Sequence, residues 1–312
     1  MTNRPGIKEA LWMAAGAAVL LAVVVAVLAL RDDRSPAQRL AARTERANLV
    51  EAMQLALTSA SEAEKSAVLA VTDESSQEFA DKSRAATAAA ERQRGDLAAR
   101  LAKDGTAAER DLLAKLTASF AEFRHVDDEV LVLAVKNTNL KASALAFGPA
   151  ADAVRGMSAA LDRLVASHGE SLNAKQVNLL GCRAQIAALR IETLIAPHIA
   201  EESDRRMDEL EAAMRTDDDS VHRDLAALAA LPAVGGDSDL ATAAARYATF
   251  GELRTRIVAL SRENTNVRSL ALSLNQSRRA MLVCTVDLAA LQEAVLAEPV
   301  PGVTDGGPVS PR

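Results

Sequence analysis

Hydrophobic positions recur at helical spacing over most of the chain, and the recurrence breaks at three places. Each break combines glycine with a capping residue, Thr106, Ser171 or Ser238. The breaks divide the body into four segments of nearly equal length, 36–103, 107–168, 172–230 and 238–297. Short loops between long helices give antiparallel neighbours. The pattern therefore predicts an all-α protein, built as an elongated antiparallel four-helix bundle.

The two halves of this body resemble each other, which indicates that one helical hairpin has been duplicated. Residues 120–145 align without a gap with residues 247–272, at an offset of 127. Both segments contain Asn-Thr-Asn, at 137–139 and at 264–266. We therefore predict two hairpin repeats, 36–168 and 172–297, within one helical domain, 36–297.

Asn137 and Asn264 decide whether the helices are long or short. Turns at these residues would give eight shorter helices in two bundles. The apolar positions keep their 4-3 spacing through both asparagines, as in a continuous helix, whereas a turn would reset it. Four helices of roughly 90 Å are therefore predicted, with weak points at Gly148-Pro149 and Pro197.

Residues 10–30 are uncharged and strongly apolar, and a run of this length spans a hydrocarbon core of ~30 Å. A cleaved signal peptide is the alternative, but its apolar region is usually roughly 7 to 15 residues long. We predict an uncleaved transmembrane helix after a short flank, 1–9, and a single span. Basic residues lie on both sides of this segment, Lys8 before it and Arg31 after it. The distribution of positive charge therefore does not determine the orientation of the helix in the membrane. The Gly- and Pro-rich stretch 298–312 is predicted to be a disordered tail.

Composition narrows the class of protein. The net charge of −6 argues against a nucleic-acid partner. Four His and two Cys show no metal-ligand spacing, so no metal site is expected. Nucleophile-elbow, phosphate-loop and HExxH patterns are missing from the sequence, which predicts a protein that is not an enzyme and needs no cofactor.

Counting residues from each loop places four polar segments at one height, near the middle of the predicted bundle. One interpretation is register control, because a buried Asn in a helix seam fixes alignment, and this interpretation is favoured. The other is a site for a small polar metabolite between facing helices. The candidate ligand-binding residues of this layer are Thr72, Ser76, Asn137, Arg190, His198, Ser203 and Asn264.

Cys182 and Cys284 also fall at one height in the predicted bundle. Both fit core positions by phase, Cys182 together with Leu179, Ile186 and Leu189. An extracytoplasmic disulfide between the third and fourth helices is one interpretation. Two free, buried thiols are the other, which the usual burial of free cysteine favours.

A family resemblance rests on five helical stretches, 64–79, 133–142, 147–149, 196–201 and 266–274. They resemble the sensor region of bacterial methyl-accepting chemotaxis proteins, and the resemblance covers about residues 10 to 296. It implies a helical-bundle sensor in the inner membrane, on the periplasmic side, that binds a small molecule, usually as a homodimer. Such a sensor passes a small helix displacement across the membrane.

The chain departs from that family pattern after the bundle. The expected second transmembrane helix, linker module and cytoplasmic methylation hairpin do not follow, so signalling would have to pass through a partner such as a full-length chemoreceptor. The function expected from the resemblance is a non-catalytic sensory module. The alternatives are an adaptor that pairs with a chemoreceptor without binding a ligand, and a degenerate receptor.

Overall fold

The computed structural model describes residues 35–232 and 234–297, and these residues form ten helices without any strand. The helices are α1 Pro36–Leu69, α2 Asp73–Asp104, α3 Ala107–Ala134, α4 Thr138–Leu145, α5 Ala151–Ser167, α6 Ala174–Ala200, α7 Asp204–Ala229, α8 Ser238–Glu263, α9 Thr265–Leu272 and α10 Arg278–Ala297. Single π-helical turns, Ala146–Ala150 and Ser273–Ser277, join α4 to α5 and α9 to α10. The predicted transmembrane helix 10–30, its flank 1–9 and the tail 298–312 lie outside the described residues.

Local capping signals determine where the helices begin. Ser35 and Thr106 form capping boxes with Gln38 and Glu109, which satisfy backbone N–H groups at the starts of α1 and α3. Thr72 accepts a hydrogen bond from the backbone N–H of Ser75 at the start of α2. Ser203 and Asp237 cap α7 and α8 in the same manner.

Two long, interrupted helices run antiparallel through both halves of the described structure. The first consists of α3, α4 and α5, and the second of α8, α9 and α10. α3 packs along α9 and α10, whereas α4 and α5 pack along α8. The chain therefore does not reverse at Asn137 or Asn264, as the heptad phase predicts, although the helix is interrupted at both residues.

Two helical hairpins flank these long helices, one at each half. The α1–α2 hairpin packs against α3 and α10, and we call this half module one. The α6–α7 hairpin packs against α4, α5 and α8, and we call this half module two. Each module has its own apolar core, which draws on α1, α2, α3 and α10 in module one and on α4 to α8 in module two. Representative buried residues are Met53, Leu97, Phe120 and Leu288 in module one, and Met157, Ile191, Val221 and Phe250 in module two.

The prediction of unbroken helices over 36–103 and 172–230 was wrong. The helices end at Leu69 and Ala200, and the chain reverses over the next three residues before α2 and α7 begin. The cause is local, because Thr72 and Ser203 are N-cap residues, each followed by an aspartate in the first turn. The result is six helical segments, two long and four short, instead of four long ones.

The segment Ser238–Ala297 contains an 18-residue window with a mean hydropathy of 1.7, which is long and apolar enough to span a membrane. Part of this segment, α10, also supplies Cys284, Leu288 and Leu291 to the core of module one. A buried core helix meets the same criterion of length and composition.

Candidate functional site

The two Asn-Thr-Asn motifs meet where the modules join, and together they form what we call the Asn-Thr-Asn layer, residues 137–139 and 264–266. Thr138 and Thr265, which are 127 residues apart, face each other with their Oγ1 atoms 3.2 Å apart. Asn139 Nδ2 donates to Asn264 Oδ1 at 2.7 Å, and Asn266 Nδ2 donates to Asn137 Oδ1 at 2.9 Å. The two motifs are thus related by an approximate twofold axis through the threonines.

Each motif caps the helix that begins in the other motif. The backbone N–H of Thr138 donates to Thr265 Oγ1 at 3.2 Å, and that of Asn139 donates to Asn266 Oδ1 at 3.1 Å. The reciprocal bonds, from the N–H groups of Thr265 and Asn266 to Thr138 and Asn139, measure 3.1 and 3.2 Å. A helix start leaves its first N–H groups without intrahelical acceptors, so each long helix depends on the other at its interruption.

The interruption itself requires asparagine-like residues. Asn137 and Asn264 both have φ of 51° and ψ of 39°, in the left-handed region. Asparagine enters this region more readily than other residues with a Cβ atom. Both are buried, Asn137 completely. Backbone conformation and hydrogen bonding therefore select the same residue type at both positions.

Further hydrogen bonds tie the Asn-Thr-Asn layer to the hairpin turns. Asn137 Nδ2 donates to Asp73 Oδ1 at 3.0 Å, and Asn264 Nδ2 donates to the Glu201 carbonyl at 2.7 Å. Lys141 Nζ lies 3.0 Å from the other Asp73 oxygen. The hydrogen bond from Lys141, followed by that from Asn137, lowers the pKa of Asp73. One end of each hairpin is thus fixed to the layer.

The seven residues predicted to bind a ligand do not form one site. Asn137 and Asn264 lie in the layer, while Thr72 and Ser203 are N-caps of α2 and α7. Ser76 Oγ is buried within hydrogen-bonding distance of the carbonyls of Ala67 and Ala134. Arg190 is exposed on α6, 3.9 Å from Asp217, and does not reach the layer. The mutual pairing of the asparagine amides favours the interpretation of register control.

His198 forms a separate buried network in module two. Its Nδ1 lies 2.8 Å from Ser261 Oγ, and its Nε2 lies 3.0 Å from Glu211 Oε1. Ser261 Oγ also donates to the His198 carbonyl at 2.9 Å. Arg262 Nε donates to the same Glu211 oxygen at 2.6 Å, so both the imidazole ring and the guanidinium group contact this carboxylate.

Module one contains a buried acidic cluster that the sequence patterns did not reveal. We call it the acid layer: Glu64 of α1, Ser83 of α2, Asp127 of α3 and Ser277 of the π-helical turn. Ser277 Oγ donates to Glu64 Oε2 at 2.6 Å, while Glu64 Oε1 is buried without a hydrogen-bond partner. Burial, and then the charge of Glu64, raises the pKa of Asp127 to about 7. The sequence did contain one signal for this cluster, which is a carboxylate at a heptad position that faces the core.

The two cysteines are free, so the disulfide interpretation was wrong. Cys182 lies on α6 in module two, and Cys284 lies on α10 in module one, because the hairpin turns separate two positions that a four-helix bundle would bring to one height. Cys284 is buried, but Cys182 is exposed. Leu179, Ile186 and Leu189, predicted to share its core face, are also about half exposed.

A surface groove of about 610 Å³ runs between α3 and α10 in module one. Its apolar lining includes Ala118, Ala280 and Val283, and the charged groups along it are Lys115, Glu122, Arg279 and Asp287. An apolar lining with charges of both signs suits a small molecule that has polar ends. Within the described ranges, no group of three or more His, Cys, Asp or Glu is arranged to hold a metal ion.

Comparison of this chain with protein-family models, with curated proteins and with solved structures finds no match.

Proposed function

We propose that this chain is a membrane-anchored, non-catalytic sensory module of the chemotaxis type. The observation that carries the proposal is the pair of long helices that belong to both modules and are interlocked at the Asn-Thr-Asn layer. A change of helix packing in one module displaces segments that continue into the other. Sensory modules of this kind act by shifting the balance between two helix packings.

The arrangement of chain ends supports an anchor at module one. Arg46, near the start of α1, lies 3.3 Å from Asp104 and 3.5 Å from Glu109, at the loop between α2 and α3. Because α10 runs antiparallel to α3, its end at Ala297 lies at this same end. A membrane helix over 10–30 would attach here and would place module two farthest from an inner membrane, on the periplasmic side.

The groove between α3 and α10 is the proposed site for a small polar metabolite. The groove contacts both α3 and the π-helical turn Ser273–Ser277, since Gln276 lines it. A ligand bound there would therefore act on a segment that leads directly to the Asn-Thr-Asn layer.

A thermal-shift screen of the full chain in detergent micelles tests this proposal. We expect a small carboxylate, amino acid or amine to raise Tm by roughly 5 °C at a hundredfold excess over its Kd. Arg279→Ala should abolish the shift, because it removes a cation from the groove, whereas Arg278→Ala, an exposed neighbour, should retain it. A broad screen in which no compound shifts Tm would remove the support for ligand sensing.

The exposed face of α6 favours a second function, an adaptor that pairs with a full-length chemoreceptor. Leu179, Cys182, Ile186 and Leu189 follow 3-4-3 spacing, and the three aliphatic side chains are 47–57% exposed. Apolar residues at this spacing form the contact face of helix pairs. Unlike the groove, this face would bind a helix and not a metabolite.

Ile186→Ser distinguishes the two functions. We expect it to leave the free energy of unfolding within about 0.5 kcal/mol, because the side chain is half exposed. It should abolish co-purification with a co-expressed chemoreceptor if the adaptor function holds. Leu282→Ser, also at an exposed apolar position but on α10 and outside the groove, is the matched control for that experiment. Co-purification that survives Ile186→Ser would exclude the α6 face.

A further inference from the structure

The acid layer has fewer hydrogen-bond donors than its carboxylates require. Ser277 supplies one proton to Glu64, at 2.6 Å. The single Ser83 hydroxyl proton lies within reach of the Ala60 carbonyl at 3.0 Å and of both Asp127 oxygens at 3.2 and 3.3 Å. Glu64 Oε1 has no donor at all. Two fully ionised carboxylates in this environment would be poorly solvated.

The surrounding charges do not compensate for this deficit. Glu64 and Asp128 act on Asp127 as negative charges, and Arg84 is the cation that opposes them. Arg84 is 40% exposed and pairs with Asp81 on the surface. On α1, the Lys65 ammonium donates to Ser61 at 2.9 Å. The π-helical turn contributes the Ser277 hydroxyl, which is uncharged.

Module two provides an internal comparison. The repeat offset of 127 places Arg254 where module one has Asp127. Arg254 contacts Asp218 with nitrogen–oxygen distances of 2.9 and 3.0 Å, so its charge is compensated. A buried acid at the position of Asp127 is thus a property of module one and not of the repeated fold.

We propose that the acid layer is a proton-binding input site, at which Asp127, buried beside the carboxyl group of Glu64, holds a proton that it releases to water as the pH rises. This inference rests on the proposed sensory function and names the stimulus as the proton concentration on the module's side of the membrane. After release, two negative charges lie in the core, on α1 and α3. Their repulsion favours a packing in which these helices separate.

The position of the acid layer connects it to the junction of the modules. Asp127 and Asn137 lie on the same long helix, ten residues or roughly 15 Å apart. Ser277 ends the π-helical turn that follows α9, the helix that starts in the Asn-Thr-Asn layer. Separation of α1 from α3 would therefore displace both long helices close to their interruptions at the Asn-Thr-Asn layer.

Infrared spectroscopy of the full chain in detergent micelles tests for the proton. We expect the carbonyl band of a protonated carboxyl group to be present near pH 5 and to disappear through about pH 7, well above the pKa of an ordinary carboxyl. Asp127→Asn should abolish this neutral-range transition and Glu64→Gln should move it to lower pH, whereas Asp128→Asn, at an exposed neighbouring position, should retain it. An unchanged transition in both layer variants would overturn the proposal.

Hydrogen exchange of the same samples tests for the coupled movement. After correction for the intrinsic pH dependence of exchange, amides of α1 and α3 near the acid layer should exchange about tenfold faster at pH 8 than at pH 6 in the natural chain. They should show no such change in Asp127→Asn. A proton transition without faster exchange would overturn the sensing role. A metabolite-induced thermal shift together with a flat pH response would do so too, while leaving the sensory function supported.

Discussion

Asn137→Leu should lower the free energy of unfolding by about 3–5 kcal/mol, the largest effect we expect from a single substitution. Leucine in the left-handed region is strained by about 1–2 kcal/mol. Its side chain also removes the acceptor of Asn266 Nδ2 and the donor to Asp73, and a buried polar group without a partner costs about 1–3 kcal/mol. Urea denaturation of the full chain in a mild detergent measures the change.

Variants of the partner motif separate the two causes. Asn264→Leu should destabilise by a similar amount, because the approximate twofold axis gives Asn264 an equivalent environment. Asn137→Gly keeps the left-handed backbone without strain, so its effect should report the lost hydrogen bonds alone. The double variant Asn137→Leu/Asn264→Leu should cost less than the sum of the two single losses, since both act on one network. A loss below about 1 kcal/mol for Asn137→Leu would contradict the role of this layer.

Asp127→Asn should remove a pH dependence of stability of up to about 4 kcal/mol. The pKa of Asp127 is about 7 in the folded protein and 3.8 in the absence of perturbation. Because the folded state binds the proton more tightly, the stabilising contribution is complete below about pH 4 and is lost as the pH rises through 7. Above about pH 8 the asparagine variant should therefore be the more stable protein.

The control for this experiment is Asp128→Asn. Asp128 is the neighbouring residue but is exposed, so its replacement should leave most of the slope between about pH 4 and 7 in place. Equal slopes for the natural chain and Asp127→Asn, measured by denaturation at a series of pH values, would show that Asp127 does not bind its proton with raised affinity.

Much of the local architecture could be predicted from single stretches of sequence. Thr106 with Glu109 marks the start of α3, and the 4-3 spacing predicts that the chain keeps its direction through Asn137 and Asn264. The pairing of residues 127 apart in the Asn-Thr-Asn layer follows the repeat offset. These features depend on residues close together in the chain, or on an alignment of the chain with itself.

The hairpin turns were missed although their signal is local. Thr72-Asp73 and Ser203-Asp204 are N-cap pairs, but they stand in polar segments that a continuous helix also tolerates on its surface. No glycine marks either turn. The consequence is large, because a reversal at these points converts four long helices into two modules and separates Cys182 from Cys284.

The sequence by itself determined an all-helical chain, its duplication, the glycine-marked loops and the two polar motifs at the centre. Only the tertiary structure decided which faces are buried. It placed Ile186 and its heptad neighbours in solvent, and it placed Glu64 and Asp127 in the core. The physical reason is that heptad spacing defines a face of a helix but not the partner of that face. That partner depends on where the chain turns back, and therefore on contacts between residues far apart in the sequence.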